Sequence, residues 1–65
     1  MIIKFHKKIY KKKAIKLAMQ EYKELADFSL GGNKEYFEVE LKNIDRDVKN
    51  LIKDEFCNYV LSQLR

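Results

Sequence analysis

Proline is missing from this chain, glycine occurs only as the adjacent pair Gly31 and Gly32, and Cys57 is the one cysteine among 65 residues. Without proline or a dispersed set of glycines there is no linker to divide the chain, so residues 1–65 read as one domain. A lone thiol excludes an internal disulfide. With only His6 as a distant second ligand, it falls short of the donor sets that hold zinc or an iron–sulfur cluster, so no metal and no cofactor are expected. No apolar run approaches the roughly 20 residues of a membrane span, and the opening lacks the apolar stretch of a signal peptide, which points to the cytoplasm and away from a membrane. No glycine-rich phosphate loop occurs. Arginine is scarce as well: Arg46 and Arg65 are the only two, and neither lies in the basic opening segment where bidentate contacts to phosphates or bases would be wanted.

What the chain does have is lysine and enough apolar residues for one core. Apolar residues make up 46% of the sequence, which removes it from the disordered class. A domain this small buries only about 60% of the surface its unfolded chain exposes, so a large enclosed active site is not expected. The net charge of +4 hides an asymmetry: seven lysines and no acid fall in residues 1–16, whereas the remainder carries ten acids against seven bases. A lysine-rich solvated surface and an anion-binding cluster both fit that opening.

Hydrophobic periodicity gives the order of elements. In "IIKFHKKIY", Ile3, Phe5 and Ile9 alternate with Lys4, His6, Lys8 and Tyr10, the pattern of a strand with one face on a core, with Lys7 the one polar residue out of phase. From Lys11 to Leu25 the period lengthens, and Ile15, Ala18, Met19, Tyr22, Leu25 and Ala26 mark a helical stripe. Phe28 and Leu30 alternate before Gly31, Gly32 and Asn33, residues suited to a tight turn with positive φ, and Phe37, Val39 and Leu41 alternate after it. A second helix is predicted after an N-cap at Asp45 or Asp47, through Val48, Leu51, Ile52, Phe56, Tyr59 and Val60. The resulting fold class is α+β: a small β-α-β-β-α domain whose three-stranded sheet has both helices packed on one face. Its other face would be open, with Lys4, His6, Lys8, Tyr36, Glu38, Glu40 and Lys42 on it.

Two sets of residues stand out as binding candidates. Lys11, Lys12 and Lys13 fall in the first turn of the first helix, against the positive end of its dipole, and with Lys8 they form a candidate anion-binding cluster. Leu17, on the first helix, and Cys57, Leu61 and Leu64, on the second, fall off the core stripes and are candidates for contact with a protein or peptide partner, or with a second copy in a homo-oligomer. Nucleic acid is the alternative partner, held by the N-terminal lysine cluster of a small basic domain; Tyr10 and Tyr36 could stack bases on the sheet face, beside Glu38 and Glu40, which would repel the phosphate backbone. Catalysis finds little to use. His6 has no evident partner, Cys57 lies in mid-helix, and the pairs Glu38 with Glu40 and Asp54 with Glu55 read as solvated carboxylates.

The segments "IYKKKAIKLAMQEY", "DFSL", "YFEVEL" and "EFCNYVLSQLR" together resemble the HxsD family, small proteins encoded with the His-Xaa-Ser peptide-modification system. The likeness rests on Tyr10 before the first helix, on Ala14, Ile15 and Ala18 within it, and on Phe56, Asn58, Leu61, Leu64 and Arg65 near the end. It departs from the pattern at Lys11, where a helix-capping residue would be expected. The resemblance implies a cytoplasmic accessory whose partners would be a radical SAM maturase or its ribosomally made precursor peptide, and the missing catalytic constellation makes that accessory a non-catalytic one. A small open sheet could take a peptide by strand addition, at an edge formed by the first strand or by "EYFEVEL".

Overall fold

A computed structural model describes residues 1–64; Arg65, part of the terminal pattern above, lies outside them. The order is β1 (Ile2–His6), α1 (Lys12–Glu21), β2 (Asp27–Gly32), β3 (Tyr36–Lys42), a short 3-10 turn (Arg46–Val48) and α2 (Ile52–Ser62). This is the expected β-α-β-β-α domain. The strands form one antiparallel sheet in the order β1-β3-β2, so β3 is central and β1 and β2 are the edges. "EYFEVEL" is therefore not a free edge, a correction to the expectation above. A strand's alternation records which face it buries but not which neighbours it has.

Strand register explains how the core assembles. Ile3 pairs with Val39, Phe5 with Phe37, Phe28 with Leu41 and Leu30 with Val39, so these side chains share one face of the sheet. Against that face lie Ala14, Ile15 and Ala18 of α1 and Ile52, Phe56 and Val60 of α2. Phe56 sits at the centre, fully buried, with the ring of Phe28 stacked at 5.2 Å and those of Phe5 and Tyr22 tilted at 6.1 and 6.2 Å. Ring pairs at such spacings add to the stabilisation from burial alone.

The local departures from the expected pattern have physical causes. The alternation of β1 stops at His6, because its carbonyl accepts the N–H groups of Ile9 and Tyr10 at 3.0 and 2.9 Å and closes a turn. That turn swings Ile9 outward, to 62% exposure, and brings Tyr10 edge-on to Phe5 at 5.0 Å, reversing the roles expected of both. Lys7, the residue out of phase, is accommodated by stretching over the ring of Phe37, its Nζ 5.0 Å from the centroid.

The hairpin turn lies beyond the glycines, which belong to β2. Asn33 makes the turn: its Oδ1 accepts the N–H groups of Glu35 and Tyr36 at 2.8 and 2.9 Å, as an Asx turn does. Of Gly31, Gly32 and Asn33, only Gly32 has a positive φ, 138°, and a Cβ there would be driven onto the carbonyl oxygen of Tyr36. Asp45 caps the 3-10 turn, its Oδ1 accepting the Asp47 N–H at 2.9 Å, and not α2, which begins after Leu51. Leu51 consequently stands 59% exposed outside the stripe assigned to it. Helix α1 ends at Glu21, short of Leu25, whose carbonyl instead accepts the Asp45 N–H at 2.7 Å and ties the chain before β2 to the loop after β3.

Candidate functional site

The apolar and basic candidates meet where α1 starts and α2 ends. Leu17 and Leu64 line a groove of about 440 Å³ together with Ala14, Gln63, Lys11 and Lys13. Helical spacing produces this arrangement: Lys13 and Leu17 are four residues apart and so share a face, which turns toward Gln63 and Leu64, the two residues that follow α2. Leu17 is 38% exposed and flanks the core stripe of α1, next to the buried Ala14 and Ala18. The surroundings of the groove are basic, and α1 has no acidic residue in its first turn.

The remaining candidates are placed elsewhere. Leu61 is 51% exposed and does not line the groove, while Cys57 is half-buried against the core. Burial pushes the Cys57 thiol above its ordinary value of 9.0, with Asp54 adding to the rise and Lys53 opposing it, so the thiol form is favoured. Tyr22, at the junction of the helices, is likewise raised from 10.0 by burial first and then by Glu55, Glu21 and Tyr59.

The four lysines proposed as one anion cluster are dispersed over three surfaces. Lys8 borders a small groove with His6, Lys7, Lys34 and Glu35, Lys11 and Lys13 border the groove between the helices, and Lys12 faces β2. Successive residues of a helix step by about 100°, which separates lysines that are contiguous in sequence. In their place Lys7, Lys12 and Lys16 converge, Lys12 and Lys16 by their spacing of four and Lys7 from the end of β1. Lys16 is not among the residues singled out from the sequence, although its spacing of four from Lys12 is legible there.

The open face carries Ile2 and Lys4 from β1, Glu38 and Glu40 from β3, and Ser29 from β2, with Lys42 Nζ 3.6 Å from Glu40 Oε1. Tyr36 is there with His6, ring to ring at 5.0 Å, but Tyr10 is not, so the two tyrosines do not form a shared stacking platform. His6 Nδ1 accepts the Lys8 N–H at 3.1 Å, a local contact that helps hold the turn after β1. Among the described residues, no helix is long and apolar enough to cross a membrane. No protein-family model, curated protein or solved structure matches the chain.

Proposed function

We propose that this protein is a non-catalytic accessory that binds a protein or peptide partner through the groove between α1 and α2. The observation that carries this reading is the pairing of Leu17 and Leu64 across that groove, with Lys11 and Lys13 beside them. An apolar groove with two cations on its rim suits a partner with an apolar anchor and acidic neighbours. The resemblance to the HxsD family supports a more particular form of the proposal: the partner is a radical SAM maturase or its precursor peptide, and the radical chemistry belongs to the maturase.

The test is retention of partners on the tagged protein from its native lysate, washed at low and at high salt. The expected result is a radical SAM enzyme or precursor peptide that survives high salt on the wild type and is lost from the Leu17→Ser/Leu64→Ser variant. Nucleic acid recovered at low salt alone, and lost with Lys8, Lys11, Lys12 and Lys13, would overturn the proposal in favour of a basic nucleic-acid-binding domain.

A further inference from the structure

The edge of β2 has its own setting, distinct from the groove between the helices. At the hairpin end Asn33 N–H donates to the Tyr36 carbonyl at 3.0 Å, which sets the phase of the ladder. With the register Gly31 to Glu38 and Ser29 to Glu40, alternation then directs the backbone N–H and C=O of Phe28, Leu30 and Gly32 outward, away from β3. No turn, loop or cap bond among the described residues uses those groups. Gly31 and Gly32 have no side chains to cover the edge, and at Gly31 even a Cβ would meet nothing within 4 Å.

The other edge is less available. Leu41 N–H donates to Met1 C=O and Lys7 N–H to Glu35 C=O, both at 2.8 Å, so the even residues of β1 face outward, and of these the His6 carbonyl is already engaged by Ile9 and Tyr10.

Beside β2 lies a basic groove of about 430 Å³, lined by Lys7, Lys12 and Lys16 with Leu30, the two glycines and Phe37. Lys12 and Lys16 are one turn apart along α1, about 6 Å, while alternate residues of an extended strand are about 6.8 Å apart. Acidic side chains two residues apart on an added strand would therefore repeat at nearly the same interval as the Lys12 and Lys16 positions along α1. A second copy pairing through the same edge would bring Lys12 and Lys16 of both molecules together, and like charges oppose that arrangement.

We infer that β2 is a strand-addition site for an extended peptide with acidic side chains at alternate positions, held by the outward backbone groups of Phe28, Leu30 and Gly32 and by Lys12 and Lys16. This extends the proposed binding role to a second surface, and it stands even if the groove between the helices proves idle.

The probe is a synthetic peptide of alternating glutamate and valine, as long as β2, titrated into isotopically labelled protein. Amide shifts should centre on Phe28, Leu30 and Gly32. Affinity should fall by about tenfold in the Lys12→Glu/Lys16→Glu variant, and by a similar factor when lysine replaces glutamate in the peptide. N-methylation of every other peptide nitrogen should abolish binding in one phase and spare it in the other. The Leu17→Ser/Leu64→Ser variant should bind the probe as the wild type does, which separates this site from the groove between the helices. No binding, shifts centred on Leu17 and Leu64, equal binding of the lysine peptide, or indifference to both methylation phases would overturn the inference.

Discussion

Lys11 occupies the N-cap of α1 with φ −98° and ψ 145°, the extended conformation that a capping residue needs, yet its side chain makes no cap hydrogen bond. The N–H of Ala14 is served by the Lys11 carbonyl at 3.1 Å, but the N–H groups of Lys12 and Lys13 have no protein acceptor among the described residues. Replacing Lys11 by aspartate supplies an acceptor for that turn without asking the backbone to move. Capping contributes about 1 kcal/mol, and exchanging a cation for an anion at the positive end of the helix adds about 0.3–1 kcal/mol. The total, about 1–2 kcal/mol, is a sizeable share of the roughly 3–10 kcal/mol that a domain of this length has. Since 1 kcal/mol moves the melting temperature of so small a domain by about 4–8 °C, Lys11→Asp should melt about 5–15 °C higher when followed by circular dichroism. Lys11→Asn should keep most of the gain and Lys11→Ala only the small part that comes from removing the cation, and high salt should narrow the gap between aspartate and asparagine. Identical melting of the aspartate and alanine variants would refute the reading of this helix start.

Three further outcomes follow from the packing. Phe56→Ala removes the ring against which Phe5, Tyr22 and Phe28 pack; its cost of about 3–5 kcal/mol is a third or more of the whole stability, so the thermal midpoint should fall by at least about 12 °C or the transition be lost. Gly32→Ala should destabilise by more than about 1 kcal/mol in urea titrations, because of its φ of 138° and the Tyr36 carbonyl, whereas Gly31→Ala should be nearly neutral. Cys57 and Tyr22 both hold their protons more tightly in the fold than in the unfolded chain, so the unfolded state loses protons first as pH rises. Their contribution is intact below the ordinary values of 9.0 and 10.0 and declines above them, so urea midpoints should fall progressively on the alkaline side. Cys57→Ser should remove the thiol's part of that decline.

The element order was legible because the apolar period changes from two to nearly four at α1 and again at α2, and the two faces of each strand carry different chemistry. The turn after His6 was hidden because Ile9 continues the alternation of Ile3 and Phe5 in sequence while the backbone between them reverses. Strand order was not legible either: β2 and β3 meet through a short turn, but the pairing of β1 with β3 spans the whole of α1 and β2. Among the binding candidates, Leu17 and Leu64 showed as residues off the core stripes, but their meeting depends on how α1 and α2 pack, which neither helix records alone. The lysine run misled in the opposite way, since contiguity in a helix disperses side chains and a spacing of four gathers them.

The most direct test of a binding role centred on the groove between the helices is an amide-resolved spectrum of the labelled protein, recorded at high salt with and without the partner retained from lysate. Shifts concentrated on Lys11, Lys13, Ala14 and Leu17 and on Gln63 and Leu64, and abolished by Leu17→Ser/Leu64→Ser, are the predicted result. Shifts confined to the open sheet face, or a spectrum unchanged by the partner, would contradict it.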